Sequence, residues 1–443
     1  MERDLMEWLV KWKDSADRKP LLLTGVRQCG KTYLLRQFGE RYFEDTAYFY
    51  FEGDRRLASI FEYDFDTDRI LGELEALVLG RPIVSGKTLV IFDEIQACPR
   101  AVTALKYFCE AKRELHIVCA GSLLGVSVKR EGLSFPVGKV DRLHMYPMTF
   151  SEFLQADGKG GLISGAHRYA PGTEVPEAYT MPLKNELKLY YIVGGMPEAV
   201  LSWTRNRDFE AVDRVLGNLL EDYSGDFAKY APRTDVPKLG WIWDSVPKQL
   251  ARENNKFIFS HVKQGKRSSE LEGALEWLSD AGLVYRLELV EKPQLPLSFS
   301  ANASYFKVYM DDVGLLRRKC GLQAATVLGE DALYSSFKGA LTENYVLTQL
   351  VAGGKKPYFW RSGNTAELDF IFEDGGRVIP MEAKAEIHTR AKSYRLFCQT
   401  YGPEVGFRCS MKNAGVNQAG QTKTYSLPLY MLWRLDEYMK QGV

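Results

Sequence analysis

Long apolar runs are missing from this chain. None of its 443 residues lies in a stretch approaching the roughly 20 consecutive apolar positions that span a bilayer, so no membrane partner is expected. A charge excess is missing too. Lys+Arg number 58 against Asp+Glu at 57, a formal net charge of +1. No global field draws such a chain onto nucleic acid or anionic lipid, and any such contact must come from local patches. Cysteine is sparse and scattered: the seven residues Cys29, Cys98, Cys109, Cys119, Cys320, Cys398 and Cys409 contain no C-x-x-C pair, and the five histidines fall singly. That spacing argues against a disulfide framework or a structural zinc site and for a reducing compartment. Met1-Glu2-Arg3-Asp4 mixes charges and leads into an amphipathic segment rather than an apolar signal core, so a cytoplasmic protein is expected. No internal repeat or low-complexity tract is present.

What is present suffices for several packed cores: 45% of residues are hydrophobic and 12% aromatic. The length suggests roughly three domains. Over residues 1–154 short apolar runs alternate with helical periodicity, the mark of an α/β domain. Leu21–Thr24, Ala47–Phe51, Leu89–Phe92 and Ile117–Ala120 read as buried strands. Residues 155–233 open with a Gly-, Ala- and Pro-rich stretch, Ala156–Pro182, that reads as a loop or boundary. A helical segment follows, broken at Gly194-Gly195-Met196-Pro197. Over 234–325, Ser269 and Glu272 form a capping box before the stripe Leu271, Ala274, Leu275 and Leu278. Leu283–Leu289 would then pair with Tyr305–Met310, a winged-helix-like outline. Residues 326–443 read as a last α/β unit.

Gly25-Val26-Arg27-Gln28-Cys29-Gly30-Lys31-Thr32 fits G-x-x-x-x-G-K-[ST] between a strand and an amphipathic helix. The glycines let successive N–H groups point at one phosphate, and the helix N-terminus adds about half a positive charge. Lys31 would reach the β- and γ-phosphates, and Thr32 would complete a Mg²⁺ shell. A glycine-rich turn without that ligand would leave orphan amides and an unpaired cation, at on the order of 1–3 kcal/mol each if buried. Thr88-Leu89-Val90-Ile91-Phe92-Asp93-Glu94 supplies a buried strand whose carboxyl end delivers two acids. Asp93 would hold the Mg²⁺ through water, and Glu94 would polarise the attacking water, which marks a hydrolase rather than a kinase. Cys29 reads as a small residue that fits the loop.

These motifs combine with Ala-Gly-Ser-Leu-Leu-Gly at 120–125, Tyr-Pro-Met-Thr-Phe-Ser-Glu-Phe at 146–153 and Gly-Gly-Met-Pro-Glu at 194–198. Together they resemble a widespread bacterial and archaeal family that joins an AAA-type ATPase core to a C-terminal domain of unassigned role. The resemblance implies ATP as cofactor, with Mg²⁺, and hydrolysis on a P-loop core with an additional strand and a catalytic Glu. It implies that Ser122, in a place where the AAA class keeps a polar residue, senses the γ-phosphate. Members often carry Gly-Arg where this chain has Gly138-Lys139. A trans-acting arginine finger would therefore fall to Arg142 or Arg130, since a lysine's point charge does not replace the guanidinium fork.

Glu367-Leu368-Asp369 and Met381-Glu382-Ala383-Lys384 lie on two strands joined by Asp374-Gly375-Gly376, a hairpin signature. Period two puts Glu367 with Asp369 on one face and Glu382 with Lys384 on one face of the partner. Glu343 on the preceding helix would point at the same place. D…E-x-K after a hairpin resembles the PD-(D/E)xK nuclease-like fold, in which Glu343, Asp369 and Glu382 would hold Mg²⁺ and Lys384 would orient water. Two carboxylates about 4 Å apart repel by roughly 4 kcal/mol at an effective dielectric near 20. Such a set needs a cation, a raised pKa or Lys384 to compensate. An alternating charged face on a solvated hairpin is the plainer reading. Basic runs with aromatics at Lys263, Lys266 and Arg267, at Lys355–Arg361 and at Arg390, Lys392 and Arg395 point to DNA as a partner.

The expected whole is an α/β ATPase with a helical and winged-helix-like middle and a nuclease-like α/β C-terminus that acts on or contacts DNA. The alternative is a nucleotide-controlled switch or scaffold that self-associates or binds a protein partner, with a C-terminal domain that no longer cleaves.

Overall fold

Leu21, Leu22 and Leu23 are buried on both faces, which is the requirement of an interior parallel strand. This strand, β1 (Leu21–Thr24), heads a computed structural model that describes residues 1–122, 135–252, 255–329, 335–363, 366–385 and 391–440. Two compact units emerge, one of Met1–Tyr146 with Asp280–Gly282, the other of Pro147–Ser279 with Leu283–Val443.

The first unit is a five-stranded sheet that adds β2 (Asp45–Tyr50), β3 (Thr88–Asp93), β4 (His116–Ala120) and β5 (Asp141–His144) to β1. The order is β2-β3-β4-β1-β5, and every pairing is parallel. β4 thus separates the phosphate-loop strand from the acid-bearing strand, as the additional-strand architecture requires. All six residues of β3 are buried, consistent with helices covering both faces. One of those helices, Lys31–Tyr42, buries Leu34, Leu35 and Phe38 at helical spacing. The edge strand β5 escaped the pattern reading because Asp-Arg-Leu-His has no apolar run.

The second unit carries an eight-stranded mixed sheet: β6 (Val284–Val290), β7 (Ala301–Met310), β8 (Tyr358–Ser362), β9 (Ala366–Asp374), β10 (Arg377–Ala383), β11 (Val405–Ser410), β12 (Gly415–Ala419) and β13 (Thr422–Pro428). The order is β12-β13-β11-β10-β9-β8-β6-β7. The β9–β10 hairpin turns through Gly375 and Gly376, at φ 54° and 73°, the left-handed pair a two-residue turn of this hand demands.

Two expectations change here. The hairpin β6–β7 forms, but β6 also pairs with β8 through Leu289–Phe359 and Val290–Trp360. The hairpin is thus continuous with the C-terminal sheet, with β7 as its edge strand, so residues 234–325 do not close on themselves as a winged helix. The stretch Ala156–Pro182 is not a loop throughout. Gly160–Ala166 is helical, and the helix Glu177–Val193 contains Pro182. Its buried face of Thr180, Leu183, Leu187 and Tyr190 offsets the roughly 3 kcal/mol that an interior proline costs. The helix Phe150–Ala156, capped reciprocally by Thr149 and Glu152, packs in the second unit through Phe150 against Tyr190 and Tyr345. Among the described residues no helix is long and apolar enough to cross a membrane.

Candidate functional site

The junction between β1 and the helix Lys31–Tyr42 curls through three positive-φ residues, Gly25 at 147°, Gln28 at 64° and Gly30 at 98°. Gly25 cannot be replaced, because a Cβ there would lie 2.2 Å from the carbonyl oxygen of Met145. Lys31 opens the helix and is buried. Its Nζ donates to the carbonyl of Gly25 at 2.9 Å and of Val26 at 2.8 Å. The ammonium is thereby held over the loop, where a phosphate oxygen would exchange with those carbonyls. Arg3 braces the loop from outside, donating to Cys29 O at 3.0 Å and Tyr146 O at 2.6 Å.

The acids stand beside it. Asp93 ends β3, 3% exposed, and its Oδ2 accepts from Thr32 Oγ1 at 2.8 Å and from the Tyr48 hydroxyl at 2.6 Å. Burial, with Asp93 beside it, pushes the Tyr48 phenol up to about 12, so it remains a donor. Glu94 adopts a left-handed conformation at φ 49°, ψ 45°. In a non-glycine residue this stores about 1–3 kcal/mol of strain, and it turns the carboxylate away from the strand direction. The Glu94 Oε2 accepts from Gln96 Nε2, and from Ser122 Oγ at 3.4 Å. Gly25–Thr32, Asp93, Glu94 and Ser122 are therefore gathered at the carboxyl ends of β1, β3 and β4.

Arg142 is not part of that gathering. It lies exposed on β5 with its guanidinium 4.3 Å from the Phe135 ring centre. Lys139 pairs with Glu110 at 2.8 Å, and Arg130 lies outside the described residues. Tyr48, Gln96, Arg3 and His144 were not anticipated; of these only Gln96 had a signal, its place in Phe-Asp-Glu-Ile-Gln. His144 shares a hydrogen bond of 3.0 Å with Thr24 Oγ1. Burial, and secondarily the charge of Lys31, lowers its pKa to about 4.

In the C-terminal sheet the expected acids share a neighbourhood but are held by lysines and an arginine. Asp369 Oδ2 accepts from Ala383 N at 2.8 Å and from Lys384 Nζ at 3.0 Å. Lys307 on β7, 1% exposed, pairs with Glu367 at 2.7 Å and stands 3.8 Å from Glu343. Glu343 Oε2 also accepts from Asn255 at 2.8 Å and Tyr309 at 2.7 Å. Burial alone would lower the Lys307 pKa, but Glu343 and Glu367 raise it overall. Asp369 is the main cause of the raised pKa of Lys384. Burial raises that of Glu382, which pairs with Arg408 Nε at 3.6 Å. The expected ion-holding trio is thus not assembled. Among the described residues no group of three or more His, Cys, Asp or Glu side chains is placed to hold a metal ion.

Residues 17–154 match the family model of an AAA domain. This segment is therefore similar to AAA domains, and its phosphate loop and parallel sheet agree with that likeness. Residues 184–326 and 338–430 match two family models described as domains of unknown function, DUF8612 and DUF4143. No curated relative matches the chain. Among solved structures, a Walker-type ATPase of Pyrococcus abyssi is similar at 16% identity and TM-score 0.44, over 72% of this chain and 95% of that one. The ORC2 protein of Aeropyrum pernix, in ADPNP–ADP complexes, is similar at 12% identity and TM-score 0.39, over 73% and 92%.

Proposed function

We propose that the ATPase core binds ATP with Mg²⁺ and hydrolyses it, and that the C-terminal domain contacts DNA. The observation that carries the first half is the gathering of Lys31, Thr32, Asp93, Glu94 and Ser122 at one edge of the sheet. Lys31 leaves the carbonyls of Gly25 and Val26 for the β- and γ-phosphates. The N–H groups of the loop and the helix N-terminus take the remaining phosphate oxygens. Thr32 and Asp93 offer two hard oxygens 2.8 Å apart beside the loop, a donor set that would hold Mg²⁺. The ion, when bound, neutralises phosphate charge. Glu94 accepts the proton of the attacking water once Gln96 releases it, and Ser122 reports the γ-phosphate to Glu94. Arg142, exposed on an edge strand, suits a finger offered to a second copy.

The DNA contact is supported by Lys392 and Arg395, exposed on the helix that follows the C-terminal hairpin, whereas Lys355 is paired with Asp374 at 2.9 Å and Asp436 at 3.0 Å and Arg390 lies outside the described residues. A second reading, a nucleotide-controlled binding domain that does not cleave, is favoured by the way Lys307 and Lys384 neutralise Glu367 and Asp369. Calorimetric titration of ATP with Mg²⁺ into wild type and Lys31→Ala tests the core reading. Heat with wild type that disappears in the variant supports it; no heat with wild type overturns it.

A further inference from the structure

A polar cavity of about 290 Å³ opens on the C-terminal sheet, between β10, β11 and the helix Lys392–Tyr401. Its volume is near the lower end of small-molecule sites, about right for one nucleotide unit and far too small for a duplex. Its charge is one-sided: Lys384, Arg395, Arg408 and Lys412 line it against the single carboxylate Glu382. Two of the four cations are already engaged, Lys384 with Asp369 at 3.0 Å and Arg408 with Glu382 at 3.6 Å. Arg395 and Lys412 are exposed at the rim, and among the described residues neither side chain has an ion-pair partner.

Glu382 is 4% exposed, and its Oε2 has no hydrogen-bond partner among the described residues. Arg408 Nε, at 3.6 Å, is beyond hydrogen-bond distance, and a buried carboxylate oxygen without a hydrogen bond costs on the order of 1–3 kcal/mol or more, so the cavity has room for a donor at its floor and an anion at its rim. One ligand supplies both if it carries a phosphate at one end and a hydroxyl or N–H a few atoms away. A terminal phosphomonoester carries about 1.5–2 negative charges at neutral pH, which matches the two unengaged cations. An internal phosphodiester carries one charge and needs an exit for the chain on both sides.

We propose that this cavity holds the phosphorylated terminal nucleotide of a nucleic-acid strand. The phosphate sits between Arg395 and Lys412, with Ser410 beside it, Arg408 stays with Glu382, and a base N–H donates to the Glu382 carboxylate. The inference rests on the reading that the C-terminal domain contacts DNA, and it adds which part of the strand is recognised. It needs no bond to be broken, and it holds whether or not the domain cleaves.

The test is fluorescence anisotropy of the full chain, in EDTA, with one single-stranded oligonucleotide carrying a 5′-phosphate, a 3′-phosphate or neither. A terminal phosphate at the recognised end tightens binding about tenfold, and the arm that responds identifies that end. In the Arg395→Ala/Lys412→Ala variant, which alters only exposed side chains, this preference disappears while ATP turnover is unchanged. Equal binding of all three oligonucleotides overturns the cavity assignment and leaves the DNA contact standing. So does a preference that survives in the variant. Failure of every oligonucleotide to bind overturns the DNA reading and the cavity assignment with it.

Discussion

Thr32 and Asp93 are joined side chain to side chain, Oγ1 to Oδ2 at 2.8 Å, although 61 residues separate them in the chain. The bond ties the end of the phosphate loop to the carboxyl end of β3. It presets two oxygens that a divalent ion would otherwise have to draw together. Thr32→Val keeps the shape and removes the hydroxyl. Its expected cost in stability is about 1 kcal/mol, because Asp93 keeps Tyr48 as a donor. Affinity for ATP should fall at least tenfold with Mg²⁺ present and little in EDTA, read by calorimetry under both conditions.

Glu94 is held by Gln96 and Ser122 in a strained backbone conformation. Glu94→Gln retains the shape without a base, so turnover should drop by about 10²–10⁴ while nucleotide affinity stays within a few-fold of wild type. Gln96→Ala removes a restraint on the carboxylate and should raise turnover in the absence of any partner. A Gln96→Ala protein slower than wild type would mean that Gln96 positions the base rather than restraining it.

Two motifs far apart in sequence meet at a joint in the second unit. Met148 N donates to the Gly195 carbonyl at 2.7 Å, and Gly195 N donates to Asp312 Oδ2 at 2.6 Å. A Cβ on Gly195 would stand 2.1 Å from the Met148 oxygen. Gly195→Ala must displace backbone, and a loss of about 3 kcal/mol is expected in chemical denaturation, with ATP affinity retained where the protein folds. Ready tolerance of alanine would contradict this account of the joint.

The phosphate loop and its acids were legible because their signals are local: an apolar run, glycines at fixed spacing, and acids at a strand end. β5 was not, since a short polar edge strand carries no pattern until its neighbour is known. The same holds for β6 and β8, whose pairing joins residues 289 and 359. Lys307 was silent for another reason. A lysine in the strand Tyr305–Met310 reads as solvent-facing, and only the fold brings Glu343 and Glu367 to it. Glu367, Asp369 and Glu382 do lie on the β9–β10 hairpin, but the lysine that pairs with Glu367 comes from β7.

Lys307→Met tests that compensation. Removing one partner of a buried ion pair leaves the carboxylates Glu367 and Glu343 uncovered, and a loss of about 3–5 kcal/mol is expected. Added Mg²⁺ or Mn²⁺ should restore part of it if those carboxylates then take an ion. A thermal melt with and without metal reads both effects.

The fold lowers the pKa of both His116 and His144 to about 4. Burial is the main cause in each, with Arg18 adding to it at His116 and Lys31 at His144. In the unfolded chain both return to about 6.5. Between those values the unfolded state binds more protons, so stability falls as pH drops from about 6.5 toward 4, by up to about 1.4 kcal/mol per pH unit for each histidine. His116→Gln should give a shallower dependence of unfolding free energy on pH across that window. An unchanged slope would contradict the buried neutral state of His116.

The most direct measurement is phosphate release from ATP by the full chain, with Mg²⁺, comparing wild type with Lys31→Ala and Glu94→Gln. Steady release by wild type that both variants abolish, while Glu94→Gln still binds the nucleotide, is the predicted result. Release that persists in both variants, or a wild-type protein that neither binds nor hydrolyses ATP, would contradict the role given to the loop and its acids.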